Sequence, residues 1–306
     1  MKRAASVFFV AIFLCAFAPA SFAGDALRIA SAGYGDLFWV MGKRLGEILG
    51  SDDVPAQDIA TSGDEENIEL LVSGKADVAF VSGEAIDRFI SSGGSVESLR
   101  TIARVWPSAV HVLLRGDFVK TNTIADIDKK YIYIGEKGSV HRAVIEKILA
   151  AKGIKVKHLM RDINDATLLS IMRNFVEREL DGAIIIGPAL NQATDDIISK
   201  TGGTFQLIPL SEGDLAAIAG EKITAVILTI PENTYSYQTD SLKTVALPNY
   251  LVCRKDLSAK DAALLSDIFE NHIDFFTGPG LPETLLMAVD QTTPPAIPFH
   301  EVGVGR

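Results

Sequence analysis

The chain has 306 residues, a formal net charge of −10 and 48% hydrophobic residues. That is enough for two domains of ordinary size, and too acidic for a phosphate backbone or an anionic membrane surface to be an expected partner. Two cysteines, one of them in the leading segment, give no internal disulfide framework, so stability has to come from packed cores.

Residues 1–23 read as a secretory signal. Lys2 and Arg3 precede the apolar run SVFFVAIFLCAFA, and SFA stands where a signal peptidase cuts, after Ala23. Cys15 follows Leu14 rather than a small residue, which argues against a lipid anchor there. Cleavage takes the net charge from −10 to −12, since it removes Lys2 and Arg3 and no acid, and leaves Cys253 as the single thiol. No later run is apolar enough to be expected to cross a membrane.

From there strands and helices alternate, which predicts an α/β architecture on largely parallel sheets. LRIAS (27–31) is a strand. Leu37, Val40, Met41, Leu45, Ile48 and Leu49 then share a helical face, with Gly50 as the expected stop. DIATS (58–62) is the next strand; Asp64, Glu65 and Glu66 suit the positive end of a following helix that Gly74 closes. ADVAFV (76–81) and TIARVW (101–106) complete a first sheet. YIYIG (131–135) opens a second cycle, followed by the turn EKGS and a helix lined by Val140, Val144, Ile148 and Ala151, with Gly153 closing it. VKHLM, a helix through DATLLSIMRNFVE, DGAIIIG (181–187) and TFQLIPL follow. Strand, glycine turn and helix thus occur in two cycles, and two similar α/β lobes are the simplest explanation. Each lobe would present a turn and a helix N-terminus at the carboxyl edge of its sheet, where open α/β sheets bind ligands.

The first glycine turn does not fit a dinucleotide. Gly33 and Gly35 match the first two glycines of that fingerprint, but Phe38 stands at the third, and the second strand ends in Thr61 and Ser62 where a ribose-binding acid belongs. GEKGSVH lacks the lysine-serine order of a P-loop, so no nucleotide or other cofactor is expected. A small anion is a better match for the N-terminus at Ser139, although Ser139 equally fits a plain helix cap.

The candidate contacts in the first lobe are Tyr34 and Gly35 on the first turn, Phe38 and Trp39 as walls, Thr61, Ser62 and Asn67 as donors, and Ser82 and Glu84 after the third strand. Glu84 in a cleft would favour a solute bearing an amino group. The alternatives are a core role for Phe38 or Trp39, a loop brace for Asn67 and a solvated helix-start acid for Glu84. In the second lobe, Gly138, Ser139, Val140 and His141 form the anion seat, with Gly187 and Pro188 ending the strand beside it.

Several segments, in order and spacing, resemble the TAXI-type extracytoplasmic solute-binding proteins of tripartite ATP-independent periplasmic (TRAP) transporters. TSGDEENIELLVSGKADVAFVSGEAI, VHVLLRGDFVKTNTIADI, YIGEKGSVHRAVIEKILAAKGI and IPENTYSYQTDSLKTVALPNYLVCRKDLS followed by IPFHEVGVG carry the likeness over essentially the whole mature chain. It implies a two-lobed periplasmic binding protein fold of the type II kind, with lobes joined by crossing strands. Residues 24–111 with 252–306 would form lobe 1 and 112–251 lobe 2. It further implies a monomeric periplasmic protein that captures a small carboxylated solute, such as glutamate or an organic or keto acid, and delivers it to a TRAP-type permease. Phe38 and Trp39 stand where that family usually has two tyrosines, Ser82 and Gly83 where it has glutamine and serine, and Trp106 where it has tyrosine, all of which make the pocket more apolar and roomier.

Catalysis is the competing reading, since two-lobed clamps also occur as dehydratases. The histidines at 111, 141, 158, 272 and 300 show no zinc-ligand spacing, no GxSxG elbow surrounds a serine, and Asp52-Asp53 and Asp195-Asp196 read as solvated pairs rather than calcium loops, so no metal and no enzyme are expected. Cys253, in the apolar strand YLVC, reads as a buried inert thiol. A clamp serving a sensor kinase would look the same.

Overall fold

The computed structural model describes residues 26–33, 37–157, 173–220, 225–272, 276 and 295–301. The leading segment 1–23, Tyr34, Gly35, VKHLM beyond Lys157 and most of the helix expected at DATLLSIMRNFVE lie outside these residues.

The fold is mixed α/β on one nine-stranded sheet. β1 (Leu27–Ala30), β2 (Ala56–Ile59) and β3 (Val78–Ser82) run parallel, with β1 in the middle. Parallel neighbours need crossover connections, and α1 (Leu37–Ser51) and α2 (Asp64–Val72) provide them. α3 (Gly83–Ser91) leaves β3 without a loop, Ser82 being the last strand residue and the helix N-cap. Two long strands then cross the molecule antiparallel to each other: β4 (Leu99–Arg115) and β9 (Leu242–Arg254). Between them lie β5 (Ile132–Tyr133), α4 (Val140–Ala151), β6 (Gly182–Pro188), α5 (Gln192–Lys200), β7 (Phe205–Ile208), α6 (Glu212–Gly220) and β8 (Val226–Ile230), and α7 (Ala259–Asn271) follows β9. The strand order is β2-β1-β3-β9-β4-β6-β5, with β7 on the C-terminal end of β4 and β8 on the N-terminal end of β9.

Alternation along the strands divides the core in four. On β3, Val78 and Phe80 join Met41, Leu45 and Leu265 on one face, while Ala79 and Val81 join Ile68, Leu71 and Ile86 on the other. On β4, Val110, Val112 and Leu114 pack with α4, whereas Ala109 and Leu113 pack with α5. Both faces of both halves are therefore covered, and the central strands are apolar almost throughout.

The two halves share only β4 and β9. β3 pairs with β9 over residues 249–253, β8 pairs with it over 242–246, and β6 pairs with β4 over 108–114. Between these zones the β4–β9 register slips: Val105 faces Asn249 and Ser108 faces Leu247, so Trp106 and Pro107 oppose Pro248 alone. Neither proline has an N–H to give to the ladder. The amide of Asn249 spans the gap instead, its Nδ2 donating to the Trp106 carbonyl at 2.9 Å and to Ser108 Oγ at 2.9 Å.

Two expectations for α1 are corrected. Gly50 does not end the helix; the chain turns at Asp53, with φ 59°, and Val54 N–H returns to the Leu49 carbonyl at 2.9 Å. The buried stripe also includes Phe38 rather than Val40, which is 38% exposed, because the core lies slightly to one side of the stripe's expected centre. Gly74 and Gly153 do close their helices, with φ of 71° and 63°. TIARVW is not a separate strand, being the near part of β4.

Candidate functional site

A cavity of about 830 Å³ lies between the two halves of the sheet. Its floor is Ser108 on β4 with Leu247 and Asn249 on β9. The near wall comes from Ala32, from Leu37, Phe38 and Val40 at the start of α1, from Ser62 to Glu65 at the start of α2, and from Ser82. The far wall comes from Glu136 and Gly138 to His141 entering α4, from the end of β6, and from Leu190 to Ala193 entering α5. This volume suits a small molecule.

Of the residues expected to contact a ligand, Phe38, Ser62, Ser82, Gly138, Ser139, Val140, His141, Gly187 and Pro188 meet at this cavity. Several have prior commitments. Ser139 caps α4, accepting from Arg142 N–H at 3.1 Å while donating to the Glu136 carbonyl at 2.9 Å. Ser82 Oγ accepts from Ala85 N–H at 3.2 Å and donates to Asp64 at 3.0 Å, and the Ser82 N–H donates to the same carboxylate at 2.7 Å. Ser62 gives its N–H and hydroxyl to Glu66, at 2.7 and 2.8 Å, and these hydrogen bonds hold the Glu66 carboxyl below the usual range. The first turns of α2, α4 and α5 border the cavity, and helix geometry leaves their leading main-chain N–H groups without partners inside the helix.

Four expected contacts fall elsewhere. Asn67 is fully buried on α2 and braces strand ends, donating to the carbonyls of Ser31 at 2.5 Å and Phe80 at 2.8 Å. Thr61 donates to Asn67 Oδ1 at 2.7 Å, so the pair satisfies itself under the cavity wall. Trp39 packs on the core behind α1, with the Lys43 ammonium 5.9 Å from its ring centre. Glu84 is neither solvated nor in the cavity: it is buried, and its Oε1 accepts from Lys147 of α4 at 2.5 Å. α3 belongs to the near half and α4 to the far half, so this ion pair crosses the cleft. Val140 accompanies it, packing against the near-half cluster that holds Ile86 and Tyr250. Tyr34 and Gly35 lie outside the described residues.

Sequence reading missed the floor and the α5 entrance. Asn191 caps α5 through Thr194 N–H at 2.9 Å, and its own N–H donates to Tyr235 Oη at 2.9 Å. Tyr235 in turn donates to the Ala189 carbonyl, so the 2.7 Å contact between Tyr235 and His111 Nε2 has the imidazole as donor. Burial drives the His111 pKa from 6.5 down to about 4, with hydrogen bonds to carbonyls opposing it, and the ring is neutral. The asparagine before an apolar-periodic segment in ALNQATDDII was the available signal for this cap.

Among the described residues the cavity's ionisable lining is acidic: Asp64, Glu65 and Glu136, with His141 and no lysine or arginine. Glu65 is paired with Arg88 at 2.8 Å. Among the described residues no group of three His, Cys, Asp or Glu is placed to hold a metal ion, and no helix is long and apolar enough to cross a membrane.

The NMT1-like family model matches residues 29–301. The chain belongs to the NMT1-like family. Among solved structures, the GluR0 ligand-binding core in complex with L-glutamate is similar in fold, with TM-score 0.50, 9% identity, and 84% of this chain and 99% of that one covered. The periplasmic aliphatic sulphonate binding protein SsuA of Escherichia coli aligns with TM-score 0.48 and 15% identity over 89% of this chain and 85% of that one. No curated protein matches the chain in sequence. This NMT1-like member thus has a mixed α/β fold similar to that of the GluR0 core.

Proposed function

We propose that this NMT1-like protein is a periplasmic solute-binding protein that captures a small carboxylated solute between two lobes and hands it to a membrane permease. The observation that carries the reading is the convergence of the α4 and α5 N-termini on a cavity bounded by both halves of the sheet. Helix-start amides are suited to a carboxylate, and no described lysine or arginine lines the cavity to compete with them. The acidic side chains opposite favour a solute that also carries a donor or positive group, as an amino acid does, over a dicarboxylate. Residues 249–253 pair with β3 and 108–114 with β6, so the lobes would part and flex where Pro107 and Pro248 interrupt the β4–β9 ladder, a few residues from the sequence-based bounds of 24–111 with 252–306 and 112–251. The likeness to TAXI-type proteins supports a TRAP-type permease as partner, and a cleaved segment 1–23 would place the protein in the periplasm.

Binding without turnover is supported by the chemistry of the lining. Ser82 and Ser139 spend their hydroxyls on caps, and the one thiol, Cys253, is buried away from the cavity, where desolvation lifts its pKa to about 12. Thermal-shift measurements on residues 24–306 with amino acids, dicarboxylates and 2-oxo acids test the proposal. Stabilisation by a small acid that is recovered unchanged is the expected result. No stabilisation by any of them, with conversion of one, would make the protein an enzyme.

A further inference from the structure

Asn249 carries an unmet hydrogen bond at the cavity floor. Its side chain is fully buried, the residue lines the cavity, and its Oδ1 has no hydrogen-bond partner. The orientation of the amide is set by its neighbours. The Trp106 carbonyl can only accept, so the atom 2.9 Å from it must be the nitrogen, and the same nitrogen reaches Ser108 Oγ. The oxygen is left over. Asn249 is also the register partner of Ser82 on β3 and of Val105 on β4, which puts it where the near half's last paired strand ends. Of its companions on the floor and lower walls, Leu247, Ile186 and Phe38 offer no donor side chain, and Ser108 meets the amide on its nitrogen side. A buried acceptor in such surroundings is costly until a donor arrives.

We propose that Asn249 Oδ1 is the acceptor that reads an N–H or O–H on the bound solute, so that the cleft takes an amino or hydroxy acid in preference to the matching 2-oxo acid. The inference deepens the solute-binding reading and rests on it. Glu84, the sequence candidate for sensing an amino group, is occupied by Lys147; Asn249 supplies an acceptor inside the cavity instead. An oxo group there would set one lone-pair oxygen against another, whereas an amino or hydroxy group completes the set of bonds. Because the same amide bridges β4 and β9 across the proline gap, a solute bonded to Oδ1 holds the hinge through the residue that already pins it.

Calorimetric titration of residues 24–306 with matched sets decides the matter: L-glutamate, 2-hydroxyglutarate and 2-oxoglutarate, then L-leucine, 2-hydroxy-4-methylpentanoate and 4-methyl-2-oxopentanoate, and so on through the common side chains. For the set that binds, the amino or hydroxy member should bind at least about tenfold more tightly than the oxo member. Asn249→Leu should reduce that ratio to about twofold or less. Asn249→Asp, which keeps an acceptor, should preserve the preference in whatever fraction folds. Equal binding of oxo and amino members by the wild-type protein overturns the role of Asn249 while leaving the solute-binding reading intact. Binding of no member of any set overturns both.

Discussion

Replacing Lys147 with methionine should open the cleft without unfolding either lobe. Lys147 lies on α4, outside the cavity lining, and among the described residues its ammonium is the partner of the Glu84 carboxylate, whose side chain is 1% exposed and whose Oε2 has no partner. Removing one member of a buried pair leaves an uncompensated charge, at a cost of about 3–5 kcal/mol when nothing can relax. Here Lys147 is itself 41% exposed, so its charge is partly screened and the cost falls to about 2 kcal/mol. The cheapest relief is for α3 and α4 to separate and let water reach Glu84. A shift of about 2 kcal/mol moves the open-to-closed ratio about thirtyfold. Small-angle scattering of the ligand-free Lys147→Met protein should show a larger radius of gyration than wild type, and its apparent solute affinity should fall although no lining residue changed. Glu84→Gln in the same background removes the stranded charge and should recover much of the closed population. An unchanged radius and affinity, accompanied by a lower melting temperature, would show that the pair stabilises the fold and has no part in closure.

Three further outcomes follow from the geometry. The His111 pKa is depressed in the folded protein, so its contribution is complete above the ordinary imidazole value of 6.5 and is lost as pH falls toward about 4; thermal melts should show up to about 3 kcal/mol disappearing across that window, and the slope should flatten in His111→Asn. Asn67→Ala removes the amide donors to the Ser31 and Phe80 carbonyls and leaves the Thr61 hydroxyl only its 3.4 Å contact with the Ser31 carbonyl, and denaturant titration should show a loss of about 2–4 kcal/mol; a loss under 1 kcal/mol would mean these groups find other partners. Cys253 should resist thiol reagents in the native protein and react only on unfolding, since burial raises its pKa to about 12; rapid labelling under native conditions would contradict the burial of β9.

Periodicity made the first lobe's elements legible because each has a one-sided signal. α1 carries an apolar stripe, α2 begins with three acids, and Gly74 turns the chain at positive φ, as Gly153 does after α4 in the other half. Where a signal had two sources, it misled. Phe38 is apolar both as a core residue and as a cavity wall, and it serves as both, while Val40, which fits the stripe, faces the cavity. Glu84 fits a solvated helix start by composition, and only the approach of α4 from a chain segment 63 residues away turns it into a buried partner of Lys147. Such a contact has no local trace.

The crossing strands show the same limit in a form that matters for function. A strand such as LKTVALPNYLVCR reads as a buried central strand interrupted by a proline, and local rules give the asparagine after that proline no role beyond the turn. In the folded chain Pro107 and Pro248 face each other, and the ladder bonds they cannot make are replaced by one side chain, Asn249. Replacing main-chain bonds with a side-chain bridge leaves the sheet continuous but softer at one line, and that line runs beneath the cavity. On the proposed solute-binding reading, the bend of the clamp and the floor of its site would be built from the same few residues, so a substitution meant to alter solute preference at Asn249 would also alter the ease of closure. Selectivity ratios between matched solutes separate the two effects, because a change in closure that all members share cancels from the ratio while a change in the contact does not.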